Sequence, residues 1–116
     1  AILGDLNDYR EPAQGTTSGI LDLTGWSEVE NVVDRLPQTE RWTHFYDGAK
    51  GDDTPYRQID YLLLSKSLAN ATNAQPTIER RGLTPKATQA TQKRFKGVTA
   101  KSVASDHCAV VIEVKL

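Results

Sequence analysis

Three places in the chain put polar groups where a strand would be apolar. GDLND sets Asp5 and Asn7 directly behind Ile2 and Leu3, and QIDYLLLS sets Asp60 between Ile59 and Tyr61 ahead of three leucines. SDHCAVVIEV places Asp106 and His107 at the head of an apolar run. Each has an ordinary reading by itself. An Asp-x-Asn after a strand makes an Asx-turn or helix cap, a single Asp sits at a strand's edge or end, and Ser-Asp-His makes a turn. Together they suit a site. A carboxylate among apolar side chains is costly unless paired or metal-bound, so Asp60 needs a partner, and His107 is one of only 2 histidines. A hydrogen bond between them fixes the imidazole tautomer and favours its charged form. Asp5, Asn7 and Asp106 would then offer oxygens or hydrogen bonds around a hard divalent cation and a phosphate. We therefore expect Asp60 within hydrogen-bond reach of His107, and Asp5, Asn7, Asp106 and His107 together at one end of a sheet.

Strands with short helices between them must do this positioning. Ala1–Leu3 reads as the end of a buried apolar strand running into Gly4. Arg10–Thr17 is a loop with Pro12 and Gly15 as breakers. Thr17–Leu23 suits a short helix or turn, stopped by Gly25. In Trp26–Leu36 the apolar spacing fits a helix face, while Asn31 and the paired valines leave a strand open. Arg41–Asp47 is a strand by its aromatic content, Gly48–Pro55 a turn, and Arg57–Ser65 the strongest strand of the chain. Lys66–Asn70 fits one helical turn and Thr77–Arg80 a short strand. Gly82–Thr99 is a polar, basic excursion loop. Ser105–Leu116 is a final strand, with Cys108, Val110, Ile112, Val114 and Leu116 on one face and Ala109, Val111, Glu113 and Lys115 on the other. The class is mixed α/β, of the α+β kind.

Composition narrows the function classes. The 116 residues suit one domain or part of one, with 38% hydrophobic and 25% charged residues, which excludes a disordered chain. No apolar run approaches the ~20 residues of a membrane-spanning helix. Fourteen basic and 15 acidic residues nearly cancel, so there is no overall basic excess of the kind nucleic-acid binders often show. Cys108 is alone and reads as a small core residue rather than a nucleophile. The sequence has no Met and no signal-peptide pattern at its start, so Ala1 is expected not to be the natural start.

GDLND, RWTHFYDG, QIDYLLLS and SDHCAVVIEV, in that order and spacing, resemble the second half of the endonuclease/exonuclease/phosphatase superfamily. Pancreatic DNase, abasic-site endonucleases, inositol polyphosphate phosphatases and neutral sphingomyelinases belong to it. The likeness covers nearly all of residues 1–116, and VVDRLPQTERWTHFYDG is most similar to bacterial members, often secreted. The resemblance implies the C-terminal half of a single DNase I-like domain, a two-layer β-sandwich flanked by helices. It implies in-line attack of water on a phosphoester assisted by Mg²⁺, with Mn²⁺ or Ca²⁺ as alternatives. Asp5 matches the residue that orients or deprotonates the attacking water, and Asn7 the one that binds a phosphate oxygen. Asp60 matches the residue that holds the catalytic His, Asp106 the metal-linked Asp, and His107 the His that contacts the phosphate. The family's principal metal ligand, a Glu, and an early Asn belong to the first half, which no segment here matches. A nuclease is the first expectation. An inositol-phosphate or sphingomyelin-type phosphoesterase is the alternative within enzymes, and a non-catalytic binding module that keeps the fold is the alternative outside them. Secreted or periplasmic localisation follows only by likeness to the bacterial members.

Other residues carry less. His44 reads as a surface strand residue, and Trp42 and Tyr46 as packing residues. Arg80, Arg81, Lys86, Lys93, Arg94, Lys96 and Lys101 make the late loop locally basic, either as a solvated surface or as contacts to a phosphate backbone. Without the other half of the domain, the apolar rows of Cys108, Val110, Ile112 and Val114, or of Leu62 and Leu64, should lie bare, so the chain is expected to pair with a second copy or to belong to a larger assembly, sheet against sheet.

Overall fold

The computed structural model describes residues 1–10, 15–48 and 54–115. Among these the alternating patterns do form strands, but shorter ones, shared among several sheets. The order is β1 (Ile2–Asp5), α1 (Gly19–Gly25), β2 (Val29–Asn31), β3 (His44–Phe45), β4 (Tyr56–Arg57), β5 (Asp60–Ser65), α2 (Lys66–Asn70), β6 (Thr77–Glu79) and β7 (Ala109–Val111). Turns of 3₁₀-helix follow β2 at Val32–Arg35 and precede β3 at Gln38–Glu40. The chain is thus mixed α/β, built on small antiparallel sheets ordered β1-β5-β2, β3-β4 and β6-β7. No described helix is long and apolar enough to cross a membrane.

Central β5 explains the layering. Directly opposed residues of an antiparallel pair share a face, so the pairing of Asp5 with Asp60 and of Leu3 with Leu62 puts these four on one side. On that side Leu62 and Leu64 bury against Val32 and Ala69, and Val110, Ile112 and Val114 pack over them. On the other side Tyr61 and Leu63 bury against Ile20 of α1, with Leu6, Leu23 and Val29 at the margin. Burial on both faces is why β5 reads as an unbroken apolar run rather than an alternating one. A third cluster, including Trp42, Phe45, Ile78, Leu83 and Cys108, joins β3 to the late loop and the final strand.

Several expectations need correction. Arg57–Ser65 is not one strand: Arg57 ends β4, Asp60 begins β5, and the two belong to different sheets. Trp26–Leu36 is neither all helix nor all strand but β2 followed by a 3₁₀ turn that buries Val32 and Val33. β1 runs on to Asp5 but is not buried: all four of its residues are exposed at one edge of the sheet. The ladder of the final strand is limited to Ala109–Val111, although its alternation persists, with Ala109, Val111, Glu113 and Lys115 outward. Its inward row is covered by the chain's own Leu62 and Leu64, so those rows do not lie bare, and the premise for sheet-to-sheet pairing through them fails. Exposed apolar surface sits instead at Ile2 and Leu3 on the β1 edge and at Val111. Leu116, and parts of the loops expected at Arg10–Thr17 and Gly48–Pro55, lie outside the described residues.

The Gly82–Thr99 stretch forms no long helix or ladder, yet it is no free excursion. Leu83, Ala87 and Ala90 are buried. The Arg94 guanidinium donates to the carbonyls of Leu83, Thr84, Ala87, Ala90 and Gln92 and so fastens the stretch to itself.

Candidate functional site

Backbone pairing brings the site together before any side chain is considered. The β1–β5 register sets Asp5 opposite Asp60 at the end of the sheet. The segment 106–108 lies along β3: the Phe45 amide donates to the Asp106 carbonyl at 3.0 Å, and the Cys108 amide to the Thr43 carbonyl at 2.7 Å. His44 and His107 therefore face each other across a β-bridge.

Thr43 ties these two arrangements into one. It is fully buried at 0% exposure. Its hydroxyl oxygen accepts from the amides of Ile59 at 3.2 Å and Asp60 at 3.0 Å, across the break between β4 and β5. Its own amide donates to the Arg57 carbonyl at 2.9 Å. One residue thus fixes the strand that carries Asp60 and the segment that carries His107.

Asp60 and His107 meet as expected, with His107 Nδ1 3.0 Å from Oδ2 and 3.2 Å from Oδ1 of Asp60. The carboxylate holds the proton on Nδ1, which leaves Nε2 as the working nitrogen: a lone pair when the ring is neutral, a donor when it is charged. Asp5 Oδ2 lies 4.0 Å from that Nε2. The imidazole stands between two carboxylates that would otherwise oppose each other as like charges across the strand pair.

Asp106 is displaced toward the second histidine. Its Oδ2 lies 3.5 Å from His44 Nε2, and the two imidazole rings are 4.7 Å apart between centroids. One ligand atom from each of His44, Asp106 and His107 falls within 4.8 Å of the others, and the same holds for Asp5, Asp60 and His107. His107 is common to both groups. Asn7 follows Asp5 at a left-handed φ of 50°, a conformation that Asn tolerates better than most residues. Its amide donates to Asp5 Oδ1 at 2.8 Å, so the segment is also the Asx-turn that its sequence allows. Among the described residues no hydrogen bond links the Asn7 side chain to the other four. The Ser-Asp-His turn is equally real, with the His107 amide donating to Ser105 Oγ at 2.9 Å.

The residue after Asn7 has a structural task. Asp8 accepts from the Ile20 amide at 3.1 Å and the Ser18 hydroxyl at 3.2 Å, tying the exit of β1 to the start of α1. The Ile20 N–H, more than the other bonds, holds its carboxyl below the usual range.

His44 is the residue that sequence reading undervalued. It is not a surface residue: its side chain is 15% exposed and turned toward Asp106 and His107. The available signal was its rarity, since it is the second of the chain's 2 histidines. Of the other residues set aside, Trp42 is buried, with the Arg80 guanidinium 4.1 Å from its ring centroid, whereas Tyr46 is largely exposed. Arg80 is itself buried and donates to the carbonyls of Glu40 and Trp42. Arg81 pairs with Glu79 and Lys86 with Asp47. Of the seven late cations, then, Arg80 and Arg94 are engaged with backbone carbonyls of the fold, and Arg81 and Lys86 in exposed ion pairs. Burial pushes the Cys108 thiol up to about 12, which removes it as a nucleophile near neutral pH.

A cavity of about 550 Å³ is lined by Tyr9, Arg10, Arg41, Trp42 and Arg57 among others, and none of the site residues lines it. Arg10 and Arg41 both reach Asp34, at 2.5 and 3.1 Å, and the Arg57 guanidinium lies 5.1 Å from the Tyr9 ring centroid. No protein-family model, curated protein or solved structure matches the chain.

Proposed function

We propose that this chain is the C-terminal portion of a divalent-metal-dependent phosphoesterase of the endonuclease/exonuclease/phosphatase kind, acting on phosphodiester bonds of nucleic acid. The observation that carries the reading is the Asp60–His107 pair with Asp5 near the opposite ring nitrogen, assembled from segments far apart in sequence. In this reading Asp60 orients the ring through Nδ1. Nε2 of charged His107 donates to a phosphate oxygen as charge grows there in the transition state. Asp5 takes the proton of the attacking water or aligns it, and Asn7 reaches a phosphate oxygen from the turn beside it.

The donor set is compatible with Mg²⁺, which is commonly held by one or two carboxylates together with water and substrate phosphate. Asp106 and Asp5, whose side chains are 64% and 46% exposed, are the residues that would hold it. The ion would supply Lewis-acid polarisation of the phosphoryl group and a lowered pKa for bound water. Nucleic acid stands ahead of a lipid or inositol headgroup on the sequence resemblance.

The test is a hydrolysis assay on the full-length protein with Mg²⁺ or Mn²⁺, with single-stranded and duplex DNA, an inositol phosphate and sphingomyelin as parallel substrates. DNA should be cleaved fastest. His107→Ala should lower kcat far more than it raises KM, because the contact belongs to the transition state. Near wild-type turnover in that variant, or no hydrolysis of any of these substrates, refutes the proposal.

A further inference from the structure

The two-histidine side of the cluster has a chemistry of its own. Hard cations such as Mg²⁺ prefer oxygen, whereas imidazole suits Zn²⁺, Co²⁺, Ni²⁺ and Cu²⁺. We propose that His44, His107 and Asp106 form a binding site for a borderline transition ion of the Zn²⁺ class, sharing Asp106 with the proposed Mg²⁺ position and His107 with the phosphate-binding role.

Three features support it. His44 Nε2 already faces Asp106 Oδ2 at 3.5 Å, and candidate ligand atoms of the three residues lie within 4.8 Å of one another. Ligand atoms around a tetrahedral Zn²⁺ stand roughly 3.3 Å apart, given metal–nitrogen bonds near 2.0–2.1 Å. Closing from the present spacing therefore asks for shifts of about 1 Å, and Asp106, with a side chain 64% exposed, is free to supply them. Secondly, the backbone holding both imidazoles is fixed by the bridge between His44 and His107 and by its flanking hydrogen bonds. Thirdly, His107 has the outer partner that metal-bound imidazoles usually have. Asp60 accepts at Nδ1, fixing the tautomer that turns the Nε2 lone pair outward.

The consequence for turnover rests on the phosphoesterase reading; the binding itself does not. An ion on His107 Nε2 takes the atom that would meet the phosphate. Zn²⁺ should therefore inhibit the full-length enzyme, and Mg²⁺ should relieve the inhibition only in part, because it competes for Asp106 and not for the imidazoles.

Binding is tested on the chain without substrate. Zn²⁺ affinity is measured by competition with a chromophoric chelator, and the ring resonances of the histidines are followed by NMR. One equivalent of Zn²⁺ should move the Nε2 signals of both His44 and His107, while Mg²⁺ at the same concentration should move neither. His44→Ala and Asp106→Asn should each weaken Zn²⁺ at least about ten-fold, and Asp60→Asn, acting through His107, roughly 10–100-fold. Asp106 lies outside every core cluster, so its variant tests the site without burdening the fold. Absence of binding at millimolar Zn²⁺, a shift of one ring only, equal shifts with Mg²⁺, or affinity unchanged in both His44→Ala and Asp106→Asn overturns the site. If Zn²⁺ binds as described and yet leaves phosphodiester hydrolysis intact, the site stands and the role given to His107 in hydrolysis falls.

Discussion

Replacing Thr43 by Val tests whether one hydroxyl assembles the site. The two side chains have nearly the same shape, so packing around this fully buried position changes little. What disappears is the acceptor for the Ile59 and Asp60 amides. A buried donor left without a partner costs about 1–3 kcal/mol, so two cost about 2–6 kcal/mol. Burying a methyl in place of a hydroxyl returns about 1 kcal/mol. The net loss should be near 3 kcal/mol. With a urea m-value of about 1–3 kcal/mol per molar, the midpoint should fall by roughly 1–3 M at unchanged m. Thr43→Ser keeps the acceptor and loses one methyl, costing about 1 kcal/mol. The order is the diagnostic, because the better volume match should be the worse substitution. The His107 Nδ1–H resonance should also weaken in Thr43→Val, since Asp60 loses its anchor. If Val lies within about 0.5 kcal/mol of wild type, or above Ser, Thr43 is not the joint described here.

Arg94→Lys should cost about 2–4 kcal/mol by urea denaturation, because one ammonium cannot reproduce a planar fork serving five carbonyls; a change below about 0.5 kcal/mol would show that the late loop holds its shape unaided. Hydrogen bonds from Arg81 hold the Glu79 carboxyl at about 2, below its ordinary 4.5. Between these two values the unfolded chain binds the extra proton, so this contribution is complete above pH 4.5 and is lost as pH falls toward 2. Glu79→Gln should therefore flatten the acid limb of the stability curve, and identical limbs would contradict the assignment. Cys108 should resist Ellman's reagent at neutral pH in the folded chain and react after denaturation; rapid labelling of the native protein would mean that it is neither as buried nor as weakly acidic as its surroundings require.

What could be read from the sequence was whatever depends on short-range pattern or on an uncompensated charge. The alternation through Cys108–Lys115 survives even where no ladder forms, because burial of Val110, Ile112 and Val114 depends on side-chain direction and not on strand pairing. Asp60 announced a partner because an unpaired carboxylate beside Tyr61 and Leu62 would be expensive, and only 2 histidines were available. The split of Arg57–Ser65 left no local trace. The chain passes from one sheet to another at Gln58 and Ile59 because Thr43, remote in sequence, accepts the amides there. His44 was undervalued for the same reason: its neighbours arrive from residues 106–108 through backbone bonds that no local spacing encodes. The exposure of β1 likewise depends on packing remote in sequence: β2, at the other edge of the sheet, is covered by α1 and α2, whereas β1 packs chiefly on β5.

The geometry around His107 separates what stabilises this end of the fold from what would make it useful. Asp5 and Asp60 oppose each other in register, an arrangement that strand pairing disfavours for like charges. A sequence shaped for stability alone would set a neutral or basic residue at one of the two positions. His107 stands between the two carboxylates, on a segment aligned by β3 and not by the sheet itself. An imidazole so placed has its Nδ1 committed to Asp60, while its Nε2 is contested by Asp5 and, through the neighbouring ring, by His44 and Asp106. Either proposed ligand of Nε2, a phosphate oxygen or a transition ion, meets a ring already oriented by Asp60, so orientation costs it little. The same economy explains why phosphate and metal should exclude each other there: they require the same atom.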